Sequence, residues 1–310
     1  MVKRKKVPVA LIYKNASHRG PGKVVQNLEA GLNKIGIEHG INHLFRSDVR
    51  TYMGFLQKTD DWKNFQGLMD RALVGPNCFV LPSDDPAFTQ ACKHLVVPSQ
   101  WVHDLYRRFT WLSDHTIDIW PVGINTEKWK SLQRETPKGA SLRLGFKCLL
   151  YYKNRSVQDL EMVKSLLDRY KIEYHIVEYG KYTEEDLWKE CDWANMGVLL
   201  TDTESQGIAY MEILSTNLPC FVFNKWYWNY DGRFDKVAAS SVPYFDSRCG
   251  IVTNNVDVKL FEEFLDGVIH NKYFPGEYIK ENHTLEKSAK LYYSLLEKYQ
   301  AVAFNQNRLP

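Results

Sequence analysis

A length of 310 residues exceeds one typical domain and suits two. Apolar residues make up 44% and charged residues 25% of the chain, as in ordinary soluble globular proteins. The net charge of +3 gives no reason to expect nucleic acid or another polyanion as partner. No apolar run approaches the roughly 20 residues that span a bilayer, and no signal peptide is recognisable. A cytoplasmic protein is expected. The cluster Lys3-Arg4-Lys5-Lys6 is either a solvated tail or a peripheral contact with anionic headgroups at a membrane face.

Short apolar runs alternate with amphipathic segments, the pattern of α/β units with parallel sheets. Residues 7–13 (VPVALIY) have the composition of a buried strand, and the polar, glycine-containing stretch 15–22 reads as a loop. Over 23–35, Val24, Val25, Leu28, Leu32 and Ile35 recur at helical spacing until Gly36 stops the helix. Strands are expected over 77–81, 94–98 and 116–120, with Ser99 capping the helix after the second of them. The polar stretch 131–140, with Pro137 and Gly139, marks a junction between domains 1–130 and 131–310.

The second domain repeats the alternation. It offers strand 147–152, helix 157–170, strand 174–178 and a helix opened by the capping sequence Thr183-Glu184-Glu185-Asp186. Strand Met196–Thr201, helix Ile208–Ser215, strand 219–223 and a late strand near 250–252 follow. The last amphipathic helix, 285–300, is expected to pack back on the first domain. The six cysteines (Cys78, Cys92, Cys148, Cys191, Cys220, Cys249) form no C-x-x-C pair and read as free thiols in a reducing compartment.

The chemistry concentrates in residues 196–223, MGVLLTDTESQGIAYMEILSTNLPCFVF. A strand enters a loop holding Glu204, Ser205, Gln206 and Gly207, then a helix holding Glu212, then a second strand. In a parallel α/β sheet such a loop lies at the carboxyl edge, where ligands bind. The helix start offers unpaired N–H groups and positive dipole charge, which suit a diphosphate. Glu212 lies about 7.5 Å further along the axis at ~1.5 Å per residue. Carboxylates so spaced suit the two ends of a nucleotide-sugar, one on ribose hydroxyls and one on the sugar. The plain alternative is a pair of solvated surface glutamates.

Glu204 and Glu212 with seven residues between them, Gly207 inside and Asn217-Leu218-Pro219 following, resemble the E-x7-E motif of retaining GT-B glycosyltransferases of the family-4 type. Three other segments resemble that family in the same order along most of the chain. Gly20-Pro21-Gly22 before a helix resembles its first glycine loop, and 96–106 (VVPSQWVHDLY) its strand–Ser–aromatic–helix segment. Pro121-Val122-Gly123-Ile124-Asn125-Thr126 resembles its P-N-G-V-D turn ahead of the linker. The chain departs at Ser205-Gln206, where E-G-F-G is usual, and at Tyr152-Lys153-Asn154-Arg155, where Gly-Arg…Lys is usual.

The resemblance implies a GT-B fold: α/β, two Rossmann-like doubly wound domains with an interdomain cleft, acceptor side first and donor side second. It implies transfer from a nucleotide-diphosphate sugar to a hydroxyl of a glycan, glycoconjugate or lipid-linked acceptor, with retention and with neither metal nor cofactor. Glu204, Lys153 and Arg155 take the catalytic roles in this reading. Glu212, Gly207, Gln206, Ser205, Gly20 and Gly22 bind the donor. Tyr179, Gly180 and Tyr182 fall where the nucleobase lies, although packing explains tyrosines there equally well. His18, Asp84 and Asp85 are acceptor-side candidates, each also consistent with plain surface.

Other readings lose ground. Gly20-Pro21-Gly22-Lys23 begins like a phosphate loop, but Val24 fills the Ser/Thr position, and the G-x-G-x-x-G fingerprint is incomplete. Asp202-Thr203-Glu204 imitates the metal-binding D-x-D of the other glycosyltransferase fold, which two Rossmann-like halves argue against. Two functional alternatives stay open: another GT-B chemistry, such as a sugar-nucleotide epimerase or a phosphorylase, and a non-catalytic sugar-nucleotide-binding protein.

Overall fold

The computed structural model describes residues 9–12, 19–41, 50–52, 72–76, 81–134, 145–229 and 237–306. The basic cluster at 3–6, His18, the junction residues 135–140 and all but Leu81 of the expected strand 77–81 lie outside the described residues. The chain divides into two compact units, Met1–Gly123 with Leu285–Pro310, and Ile124–Thr284.

Six parallel strands among the described residues form the first sheet: β1 (Val9–Ile12), β2 (His39–Ile41), β3 (Arg50–Tyr52), β4 (Ala72–Val74), β5 (His94–Val97) and β6 (Thr116–Ile119). Their order is β2-β1-β3-β4-β5-β6. Strands β2, β3 and β4 are too short to stand out as apolar runs. Helix α1 (Arg19–Lys34) begins earlier than its hydrophobic repeat. Gly20, Pro21 and Gly22 form its first turn and not a loop, because first-turn N–H groups have no intrahelical partner and proline's missing one costs nothing. The helix ends as expected. Gly36 adopts φ 65, its N–H donates to Asn33 O (3.0 Å), and Ile37 N–H donates to Leu32 O (2.9 Å), a Schellman closure.

Helices α2 (Pro86–Ala91) and α3 (Gln100–Tyr106) follow. Ser99 occupies the N-cap position of α3, but its buried hydroxyl makes no cap bond, contrary to expectation. The C-terminal helix, Leu285–Gln306, belongs to this unit and packs on α1. A Cβ on Gly31 would lie 2.5 Å from Leu285 O, so the two helices meet backbone to backbone. Trp120 Nε1 donates to Ser288 O (2.9 Å), and Ser288 Oγ donates to Pro121 O (2.8 Å).

The second unit contains the parallel strands β7 (Lys147–Lys153), β8 (Glu173–Glu178), β9 (Met196–Thr201) and β10 (Cys220–Phe223). A short antiparallel ribbon, β11 (Tyr227–Trp228) and β12 (Val237–Ala238), precedes the last parallel strand β13 (Gly250–Thr253). The sheet order is β13-β10-β9-β7-β8. Helices α4 (Val157–Arg169), α5 (Glu184–Trp193) and α6 (Ile208–Ser215) connect strands β7 to β10, and α7 (Val258–Ile269) and α8 (Pro275–Asn282) follow β13. The Thr183–Asp186 capping box forms, with Asp186 N–H donating to Thr183 Oγ1 (3.2 Å) and Thr183 N–H to Asp186 Oδ2 (2.8 Å).

The central strands are unbroken apolar runs because both sheet faces are covered. Cys148, Leu150, Val198, Leu200, Phe221 and Phe223 pack with Leu167 of α4 and Phe261 and Phe264 of α7. Alternate residues Leu149, Tyr151, Leu199 and Val222 meet Leu187 of α5 and Tyr210, Met211 and Leu214 of α6. Among the described residues no helix is long and apolar enough to cross a membrane.

The boundary falls after Gly123, ahead of the expected 130/131. Residues 124–130 are tied into the second unit. Ile124 N–H donates to His283 O (2.7 Å), and Ser215 Oγ donates to the carbonyl of buried Trp129 (2.6 Å). Arg134 completes this attachment. Its guanidinium donates to the carbonyls of Cys191 (2.6 Å), Thr216 (2.9 Å), Asn217 (3.1 Å) and Ala194, gathering the C-terminal ends of α5 and α6. Helix ends carry partial negative charge and unpartnered carbonyls, so a cation there is favourable. Burial lowers the pKa of this guanidinium to about 10. Arg134→Met should therefore lower unfolding free energy by about 2–4 kcal/mol, read from the midpoint of urea denaturation. A loss within ~0.5 kcal/mol would contradict the anchoring role.

Candidate functional site

From β7 the chain crosses to β8 on one side, whereas β9 leads to β10 on the other. Ligands of open α/β sheets settle outside the carboxyl ends of strands at such a divergence. Lys153 ends β7, Thr201 ends β9, and the two are register partners. Partners in a parallel pair project from the same face. Here it is the face covered by α5 and α6.

Beyond Thr201 the backbone turns to Gly207, the N-cap of α6, at φ 74 and ψ 42. A Cβ at this position would lie 1.9 Å from Tyr210 Cε1, so both the dihedral and the ring demand glycine. The loop is held from a second side. Glu204 N–H donates to Ser240 O (2.9 Å), Ser241 Oγ donates to Thr201 O (3.0 Å), and Asn224 Oδ1 accepts from Ser241 N–H (2.8 Å). Tyr210, sealed beneath, accepts from Tyr244 N–H through its hydroxyl (2.9 Å).

The Glu204 carboxylate is buried and takes Lys153 Nζ on both oxygens, at 2.7 and 2.9 Å. The ammonium also lies 4.4 Å from the centre of the half-exposed Tyr179 ring. Burial pushes the Glu204 carboxyl above its ordinary 4.5, and Lys153 pulls it back. The hydroxyls of Tyr151 and Tyr182 meet at 3.2 Å. Burial raises Tyr182 to about 12, with the charges of Glu212 and Glu204 adding to the shift. Glu212, buried on α6, also raises the Cys191 thiol, whose main cause is burial. Lys153 thus touches both Glu204 and Tyr179, and the charges of Glu204 and Glu212 both act on Tyr182.

Arg155 stands at the same sheet edge with its guanidinium otherwise engaged. It donates to Thr201 O (3.1 Å), Phe223 O (3.0 Å) and Asp159 Oδ2 (2.9 Å), which ties the ends of β9 and β10 to α4. Ser205 is exposed on the loop, and Gly180 is exposed at φ 87. Gly20 and Gly22 lie at the start of α1 in the other unit. Asp84 Oδ2 accepts from Leu81 N–H (3.1 Å), and Asp85 caps α2 through Phe88 N–H (3.0 Å), so both carboxylates have local uses. Sequence reasoning missed Tyr151, hidden inside an apolar run, and Asn224, Ser240 and Ser241, which no motif marks. Among the described residues no three His, Cys, Asp or Glu side chains gather into a group able to hold a metal.

No protein-family model matches the sequence, and no curated protein matches it. Solved structures match its fold. An alpha-glucosyltransferase in complex with UDP and a 13-mer DNA gives a TM-score of 0.59 at 9% identity, covering 94% of this chain and 100% of that one. Sucrose-phosphate synthase from Thermosynechococcus elongatus gives 0.54 at 12%, covering 96% and 100%. The catalytic domain of starch synthase IV from Arabidopsis thaliana, bound to ADP and acarbose, gives 0.50 at 9%, covering 95% and 99%. The fold is therefore α/β with parallel sheets, matching GT-B glycosyltransferase structures.

Two outcomes follow from this geometry. Gly207→Ala should cost about 1–3 kcal/mol of stability, measurable by denaturant titration; a neutral result would contradict the glycine requirement. The folded-state pKa of Glu204 lies above its unfolded value, so its contribution to stability is full below pH 4.5 and lost as pH rises through the folded value. Melting temperatures of wild type minus Glu204→Gln should therefore fall with rising pH across that window. A difference that grows would reverse the sign assigned here.

Proposed function

We propose that this protein is a glycosyltransferase that moves a sugar from a nucleotide-diphosphate sugar to a hydroxyl of a glycan, glycoconjugate or lipid-linked acceptor, with retention and without a metal. The observation that carries the reading is the ion pair of partly exposed Lys153 with buried Glu204 beside the N-terminus of α6, at the carboxyl edge of a fold shared with glycosyltransferases. Ligands named with two of those neighbours, UDP and ADP, favour a nucleotide-linked donor.

In this reading the donor diphosphate lies over the first N–H groups of α6, which have no intrahelical partner and carry positive dipole charge. The bond from the anomeric carbon to the diphosphate oxygen breaks with its electron pair going to that oxygen. Lys153 and the helix start stabilise the charge that grows there, the kind of preorganised term that is usually the largest in catalysis. Glu204 fixes the ammonium in place beforehand and orients the sugar. The acceptor hydroxyl forms the new bond on the same face, and its proton passes to the departing phosphate.

Glu212 takes the ribose hydroxyls, and Tyr179 borders the base. Arg155 acts at one remove, as a positioning residue that fixes the ends of β9 and β10. Loss of Lys153 should remove charge stabilisation from the transition state, whereas loss of Glu212 should weaken the donor complex. Lys153→Met is expected to lower kcat by about 10²–10³-fold with little change in donor KM. Glu212→Ala should raise donor KM by roughly 10–100-fold. Steady-state constants unchanged in both variants would dismiss the assignment. Nucleoside diphosphate released in step with a larger acceptor marks transfer; an altered donor, a sugar phosphate, or binding without turnover would each mark a different protein.

A further inference from the structure

The loop between β9 and α6 contains a buried side-chain amide left without a hydrogen bond among the described residues. Gln206 is 8% exposed, and neither its Oε1 nor its Nε2 has a hydrogen-bond partner among the described residues. Thr201 Oγ1, at the end of β9, is fully buried and likewise unpartnered. Buried polar groups are ordinarily satisfied, and leaving one unmade destabilises the fold. Two of them bracket the loop that holds Glu204. They flank the ion pair of Lys153 in register and the N-cap of α6 in sequence. Such unmet bonding capacity at a helix start is the mark of a place completed by a ligand.

The chemistry of the two groups narrows that ligand. An amide offers two N–H donors and a carbonyl acceptor, a threonine hydroxyl offers one donor and accepts, and neither is charged. Their complement is a neutral hydroxyl, which donates and accepts at once. Phosphate and carboxylate oxygens only accept, so they would leave the amide carbonyl without a donor.

We propose that Gln206, together with Thr201, reads hydroxyl groups of the transferred sugar and restricts the donor to neutral sugars over sugar acids. The proposal rests on the transferase reading above. Isothermal titration calorimetry of wild type, Gln206→Leu and Thr201→Val tests it with UDP, UDP-glucose, UDP-galactose and UDP-glucuronate. ADP with ADP-glucose, and GDP with GDP-mannose, serve as second and third series.

In the series that binds, wild type should favour a neutral sugar nucleotide over the bare diphosphate by at least about tenfold. In the UDP series it should also favour a neutral sugar over UDP-glucuronate. Gln206→Leu should erase the preference while changing the affinity for bare diphosphate by less than about twofold, and Thr201→Val should reduce it. The unliganded Gln206→Leu protein should melt no lower than wild type, since an unmade buried bond has been removed. A variant that keeps the preference, or one that loses bare diphosphate and sugar nucleotide equally, would overturn the role. Wild type binding no diphosphate and no conjugate would instead remove the transferase reading on which the role depends.

Discussion

A carboxylate buried at a sheet edge must either take a proton or find a cation, and Glu204 has Lys153. The two side chains come from the adjacent strands β7 and β9, at the point where their connections diverge. Taking two charges out of water is costly unless their geometry is close and doubly bonded. Both carboxylate oxygens meet the ammonium, and the cost of the remaining desolvation appears in the raised pKa of the acid. Such a pair contributes little to stability compared with apolar residues of the same size. Its presence at the carboxyl edge of the sheet is what the proposed chemistry would account for and stability would not.

The surrounding architecture holds that edge still. Two arginines serve as ties between carbonyl groups that regular structure leaves without partners. Arg155 gathers the last carbonyls of β9 and β10, and Arg134 gathers those at the ends of α5 and α6. Asn224, Ser240 and Ser241 brace the 202–207 loop from outside, and Tyr210 fills the space that a side chain on Gly207 would need. Within this frame the polar groups that stay unsatisfied, Gln206 and Thr201, stand out by contrast.

Much of this was legible in the sequence where local chemistry decides the outcome. The strands of the second unit announce themselves because covered faces make unbroken apolar runs. Gly36 and the Thr183–Asp186 box define their helix ends through backbone rules that need no tertiary context. The Glu204–Glu212 spacing singled out the loop after β9 and the helix that follows it, which lie at the carboxyl edge of the second sheet. Long-range packing decided the rest. Glycine and proline at 20–22 read as loop because propensity disfavours them in helices, yet a first turn accepts them. Arg155 looked like a free cation because no local pattern reveals two carbonyls from other strands. Asp84 and Asp85 looked available because caps on a short helix leave a weak sequence trace.

In the proposed function the start of α6, beside the Lys153–Glu204 pair, holds the diphosphate of a sugar nucleotide. Amide hydrogen exchange, followed with and without saturating UDP-glucose, ADP-glucose or GDP-mannose, addresses it most directly. Binding should slow exchange at Gly207, Ile208, Ala209 and Tyr210 while leaving the buried strands unchanged. A nucleotide that binds yet leaves those amides as fast as before would place the diphosphate elsewhere.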